Sequence, residues 1–319
     1  MHIPDGFLDG RTAAVTGVVA AGGVGLALRQ VRRELPPRRI PLLGLAAAFL
    51  FAAQMVNFPV LGGTSGHLVG GVLVAALLGP GAAIVVLTTV LIVQCFLFND
   101  GGLLALGANI LNMGIIGAGA GYAIYRAVAA VLPGTRGRVT AVAFAGWCST
   151  VLAAMACAGE LAASGTVAWS SAFTAMTVTH MLIGVGEGLI GALVYLAVLR
   201  TRPELAETGA NGGTGASRGW RDMLRYGLPA ALGIALFVAP FACPWPDGLE
   251  KAAERLGFAH REAAPALASP AANYQFPGIH WAPGATALAG ASGCLVVLAL
   301  SWMLGRWLAP EPRDYPQKQ

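Results

Sequence analysis

Long apolar runs, broken by short polar or glycine-rich segments, dominate the chain. Runs long enough to cross about 30 Å of hydrocarbon fall at roughly 12–29, 40–56, 67–80, 81–98, 103–125, 139–160, 168–199, 224–243 and 286–305. They predict an all-α membrane protein of about nine transmembrane helices. The third run is short, and Gly79-Pro80-Gly81 at its end predicts a broken segment or a tight reversal. Residues 201–220 are polar and rich in Gly, Ala and Thr, the composition of a flexible linker. They separate a seven-span unit, 1–200, from a two-span unit, 221–319, whose spans enclose a loop at 244–285. The halves are unequal and carry no internal repeat, which suggests two fused pieces and not an inverted repeat.

Composition agrees with the pattern. Of 319 residues, 56% are apolar and 11% charged, against about 25% charged in a soluble domain. Mean hydropathy is +0.68. A soluble enzyme, a coiled coil and a disordered chain are all excluded. The net charge of +5 does not point to nucleic acid. Sixteen of the 20 Lys and Arg residues fall on one side of a nine-span topology. Because positive loops stay cytoplasmic, the expected orientation puts the N-terminus outside and the C-terminus and the linker inside. The five cysteines sit in or beside apolar runs, without disulfide or CxxC spacing, and read as small packing residues. The start, MHIPDGFLDG, lacks the basic region of a signal peptide, so Met1 and His2 are expected to remain in the mature chain.

That expectation matters for chemistry. A free α-amine, the amide nitrogen of residue 2 and Nδ1 of a histidine there close fused five- and six-membered chelate rings. Three nitrogens in one plane, with a fourth position open, suit Ni(II), Cu(II) and, less tightly, Co(II). Alternatively, His2 is the second residue of an exposed tail. The segment from Asn57 to His67 joins the second and third spans on the same side as the N-terminus. Its Gly62-Gly63-Thr64-Ser65-Gly66 allows close backbone approach and local hydrogen bonds. His67 either supplies the fourth nitrogen or is a helix-end histidine bonded to a neighbour.

MHIPDG, NFPVLGGTSGHLVGG, the stretch from Leu78 to Gly114 and THMLIGVGEGLI together resemble the CbiM/NikM family over about residues 1–200. The family comprises the metal-binding membrane subunits of energy-coupling-factor cobalt and nickel importers. PDGLEKAAERLGF at 246–258 resembles the PDGLE domain found fused to or beside such subunits. The resemblance implies Co(II) or Ni(II) as transported substrate, held by the Met1 amine, the His2 amide and imidazole, and the His67 imidazole. It also implies a membrane coupling protein of the T type and two cytoplasmic ATPase subunits as partners, in a bacterial cytoplasmic membrane. The sequence has no G-x-x-x-x-G-K-[ST] phosphate loop, so no ATP site is expected in this chain.

Other polar residues lie in or beside the apolar runs. Glu187 and His180, seven apart on one helical face, are a proton-linked relay, partners that support the metal ligands, or structural groups that hold helices together. The relay would make the chain a secondary, proton-coupled metal transporter, which is the rival reading. An intramembrane hydrolase is disfavoured, because no Ser/Lys, paired-Asp or HExxH arrangement is present. Asn99 and Asp100, with Asn109 and Asn112, are expected to order the outer surface around the site, as are Gly63, Thr64, Ser65 and Gly66. Glu160 reads as an interfacial residue. The small-residue stripes, Ala13/Gly17/Ala21/Gly25 and Ala48/Ala52, read as internal packing. His260 and His280 read as loop residues without metal-binding spacing.

Overall fold

The computed structural model describes residues 1–202 and 220–308; most of the expected linker at 201–220 and residues 309–319 lie outside the described residues. The helices are α1 (Gly10–Glu34), α2 (Ile40–Gln54), α3 (Gly71–Leu78), α4 (Pro80–Val93), α5 (Leu106–Asn109), α6 (Gly121–Val131), α7 (Gly134–Ala163), α8 (Trp169–Thr201), α9 (Trp220–Phe237), α10 (Gly248–Leu256) and α11 (Ala282–Leu308). Wider π-helical turns extend α4 through Gln94–Phe98 and join α5 to α6 through Ile110–Ala120. Such turns recur at functional sites, and these carry Gln94 and Asn112.

Among the described residues, seven helical stretches are long and apolar enough to cross a membrane, and the chain is an all-α membrane protein. Each expected run coincides with a helix, but two runs form shorter helices than a full span requires. The 15 residues of α2 cover about 22 Å at ~1.5 Å each, and most of them are buried among other helices. The third run yields only the eight residues of α3. Its first residues, His67 to Gly70, stay non-helical because their backbone is bonded elsewhere. Gly79, at φ +92, then reverses the chain so that Pro80 can open α4.

One element has no apolar-run signature. Strands β1 (Phe58–Val60) and β2 (Thr64–Gly66) pair antiparallel, with Phe58 opposite Gly66 and Val60 opposite Thr64. Gly62 and Gly63, at φ +89 and +70, make the turn between them.

The C-terminal helices are not a tethered appendage. Helices α9 and α11 pack on α2. There Ala47, Ala48, Phe51 and Ala52 share one core with Ala231, Ala235, Ala289, Cys294 and Val297. Close approach depends on glycine: a Cβ on Gly293 would run into the Phe51 ring. On α1, Gly17 backs onto Gly107 of α5, whereas Ala21 and Gly25 of the same stripe are exposed. That half of the stripe is therefore not internal packing. Glu160 likewise differs from its expected interfacial position. It is buried, and its carboxylate accepts a 2.7 Å hydrogen bond from Asn112.

Gly293→Ala should lower the thermal midpoint of the purified chain by the equivalent of ~1–3 kcal/mol, the usual cost of overpacking. Gly25→Ala, at a position with open space around it, should leave the midpoint unchanged or raise it. Equal midpoints in the two variants would contradict the packing of α11 on α2.

Candidate metal-capture site

The first nine residues are a plug, not a tail. Met1, Ile3, Asp5 and Phe7 are buried. The Ile3 amide donates to Asn109 Oδ1 at 2.8 Å, and the Asn109 amide returns a bond to the Ile3 carbonyl at 3.1 Å. Gly102 N–H donates to that same carbonyl at 2.8 Å. Two residues on, the Asp5 carboxylate accepts the backbone N–H groups of Leu103 and Leu104 at 3.2 and 2.8 Å. Thr166 donates to the Phe7 carbonyl, and the Asp9 side chain caps α1. Gly101 and Gly102 leave room for this insertion: a Cβ on Gly102 would overlap Asp5.

These anchors direct Met1 and His2 at the hairpin. The Met1 amine lies 2.9 Å from His67 Nε2 and 2.8 Å from Asp247 Oδ2. The His2 and His67 rings stack, with centroids 5.3 Å apart and planes 18° from parallel. His2 Nδ1 is directed at Asp100 Oδ1, 3.0 Å away. Its Nε2 is buried with no hydrogen-bond partner among the described residues.

His67 is held from both sides. Ahead of it, Ser65 N–H donates to the Pro246 carbonyl at 2.9 Å, Ser65 Oγ to the Trp245 carbonyl at 2.7 Å, and Thr64 Oγ1 to Pro246 at 3.1 Å. Gly66 packs tightly on Ile183 of α8. Behind it, Val69 and Gly70 donate their N–H groups to the two oxygens of Glu187, at 2.6 and 2.9 Å. These are the orphan donors that keep His67 to Gly70 out of α3.

The charges follow from this packing. Burial pushes the His67 imidazole down to about 3, with the neighbouring amine and His2 acting the same way. The ring is neutral at neutral pH, and Nε2 offers a lone pair toward the amine. An unfolded histidine protonates near 6.5. Keeping His67 neutral therefore costs the fold stability increasingly as pH falls from about 6.5 toward 3. Burial raises Asp100, but the charge and hydrogen bond of His2 and the hydroxyl of Tyr274 outweigh it and hold the carboxyl below the usual range. Asp247 is held low in the same way, chiefly by the amine.

Met1, His2 and His67 thus converge, and Asp100 reaches His2. Gly63 sits at the exposed hairpin turn, and Thr64 and Ser65 serve the contact with Trp245 and Pro246 and not an ion. Asn99, at φ +57, ends the π turn after α4. Glu187 orients the segment that carries His67. His180 bonds to the Met176 carbonyl one turn earlier, at 2.8 Å, and its ring packs on Gly248. Two contributors, Asp5 and Tyr274, lack a local signal. Asp247 did carry one trace, since Asp-x-x-Glu is a capping-box spacing. Among the described residues, no three His, Cys, Asp or Glu side chains are grouped to hold an ion. What converges is two imidazoles and the terminal nitrogens.

The separation of amine and imidazole is that of an ordinary hydrogen bond and also suits two ligands of one ion. Two nitrogens bound at right angles to one ion, each at ~2.0–2.1 Å, lie ~2.9 Å apart. Met1 and His67 already have that spacing. His2 Nδ1 is held by Asp100 and would have to leave that partner to join them.

The chain is similar to known proteins over most of its length. The family described as the cobalt uptake substrate-specific transmembrane region matches residues 2–205, and the PDGLE domain matches 221–310. A chain of Archaeoglobus fulgidus named as a fused nickel transport protein, NikMN, is 35% identical, covering 96% of this chain and 99% of that one. A cobalt transport protein, CbiM, of Clostridium tetani is 32% identical, covering 63% of this chain and 85% of that one. A crystal structure described as a truncated transition metal transporter aligns with a TM-score of 0.58 at 35% identity, covering 63% of this chain and 99% of that one. Residues 2–9 of the plug, the hairpin histidine and seven of the apolar runs lie within the first match and Asp247 within the second: the chain is a multi-pass membrane protein that belongs to the CbiM family and carries a C-terminal PDGLE domain.

Proposed function

We propose that this chain is the metal-capturing subunit of an ATP-driven energy-coupling-factor importer for Co(II) or Ni(II). The observation that carries the reading is the buried Met1 amine 2.9 Å from His67 Nε2, beside the stacked His2 ring. In the metal-free state the amine donates to Asp247 and His67, and His2 pairs with Asp100. An arriving ion takes the amine, the His2 amide, His2 Nδ1 and His67 Nε2 as four planar nitrogens. It displaces protons from the amine and the amide, so binding weakens as pH falls. Relatives named for nickel and cobalt transport support the choice of ion.

With the N-terminus outside, the ion enters from the external face of a bacterial cytoplasmic membrane. The energy for release inward comes from partner chains: a membrane coupling protein and two ATPases. Residues 1–200 form the capture unit and the part after 220 its accessory. The rival carrier mechanism gains nothing from the geometry. His180 is bonded within its own helix, and Glu187 is committed to two backbone N–H groups.

The test exploits the use of a chain terminus as ligand. One residue added ahead of Met1, uncleaved, turns the amine into an amide and moves His2 to position 3. Ni(II) affinity of the purified protein should fall at least tenfold, ~1.4 kcal/mol, whereas a C-terminal tag should leave it unaltered. Equal affinity in the extended and native chains would remove Met1 and His2 from the site.

A further inference from the structure

We propose that Asp247, supplied by the PDGLE segment, is a positioning residue of the capture site. Its carboxylate aims the Met1 amine in the empty chain and remains its hydrogen-bond acceptor once the amine has become a ligand. The inference rests on the capture reading above and assigns the C-terminal domain a part in that site.

The geometry divides Asp247 between two tasks. Oδ1 accepts the N–H groups of Leu249 and Glu250, at 2.7 and 2.9 Å, and so caps α10. Oδ2 is left for the Met1 amine at 2.8 Å. Glu250 completes the cap by accepting the Asp247 N–H at 2.8 Å, which fixes the carboxylate from behind. A side chain tied at backbone and at one oxygen has little freedom left, so the second oxygen is a fixed point in the site.

The rest of the motif is fastened to the same machinery. The carbonyls of Trp245 and Pro246 hold the hairpin that presents His67. Gly248 lies against His180 and Ile183, where a Cβ would overlap the His180 ring. Leu249 is buried in one cluster with Met1, Ile3, Phe7 and Phe258. Five consecutive residues, 245–249, thus touch the amine, the residues around it, the hairpin and α8. The cap of α10 is complete with Oδ1 alone, which leaves Oδ2 to the amine.

The chemistry gives the contact a purpose in the loaded state. A primary amine bound to a metal keeps two N–H donors, and a buried donor without an acceptor is costly. A divalent ion also brings charge into a buried place, where an adjacent carboxylate compensates it. Groups that hydrogen-bond to ligands orient them and raise their basicity, and their loss typically costs 10–100-fold in metal affinity.

Asp247→Asn and Asp247→Ser both keep an N-cap oxygen for α10 and remove the charge from the amine. Two readouts on the full-length purified chain test the role. Without metal, acylation of the Met1 amine by an activated ester, followed by the mass of the N-terminal peptide, should proceed several-fold faster in both variants. With Ni(II), affinity should fall ~10–100-fold, while the absorption spectrum of the bound ion keeps its wild-type shape because no ligand has been lost. His67→Ala is the reference: it should lower affinity and also alter the spectrum. Wild-type labelling rates and affinities in both Asp247 variants, with binding lost in His67→Ala, would overturn the role of Asp247 and leave the capture site standing. Wild-type binding in His67→Ala would instead undo the capture reading itself. A changed spectrum in the Asp247 variants would make Asp247 a ligand, which also contradicts the positioning role.

Discussion

A buried terminal amine has to be met by partners, and the N-terminal plug, the hairpin and the start of α10 are arranged to meet that demand. The Met1 nitrogen lies under the surface between one imidazole and one carboxylate, contributed by residues 66 and 246 positions away. Charge removed from water without partners costs far more than a small membrane domain can spare. The N-terminal plug, the hairpin and the start of α10 must therefore be in place together. The hairpin is tied to the segment before α10 by the Ser65–Pro246 backbone hydrogen bond, and the plug meets both through the Met1 amine.

The plug depends on neighbours chosen for reach and for absence of bulk. Asn109 reads both sides of the Ile3 peptide, and Asp5 satisfies two N–H groups of the turn after Gly102. Glu187 does the same for the two residues before α3. In each case one polar side chain replaces the missing turn of a helix or strand. This also explains why an intramembrane carboxylate can be structural: its two oxygens hold the backbone that positions His67.

Much of the fold was legible in the sequence. Runs of apolar residues locate every span, because a lipid-exposed helix must be apolar over its length whatever its neighbours. What the pattern could not give was the length of α3, since hydropathy is blind to the Glu187 bonds that keep His67 to Gly70 extended. The hairpin escaped for a similar reason: three residues per strand are too few to show alternation. In the site, Met1, His2 and His67 were legible from chelate chemistry and family resemblance. Asp100 was legible as a polar group near the outer surface, but not as the partner of His2. Asp247 was hidden because its contact with Met1 spans nearly the whole chain, and its local signal, a capping box, describes only α10. Glu160 was misplaced because a carboxylate near a helix end looks the same whether it faces water or Asn112.

In the proposed capture site the ion sits in a plane of four nitrogens, two of them from the first residue's amine and the second residue's amide. The magnetic state of bound Ni(II) addresses this most directly, because four strong planar donors pair the electrons of a d8 ion. The purified chain loaded with one Ni(II) should be diamagnetic, with the absorption of a planar complex and no paramagnetically shifted proton resonances. A paramagnetic, six-coordinate spectrum from the loaded native chain would contradict the planar nitrogen site.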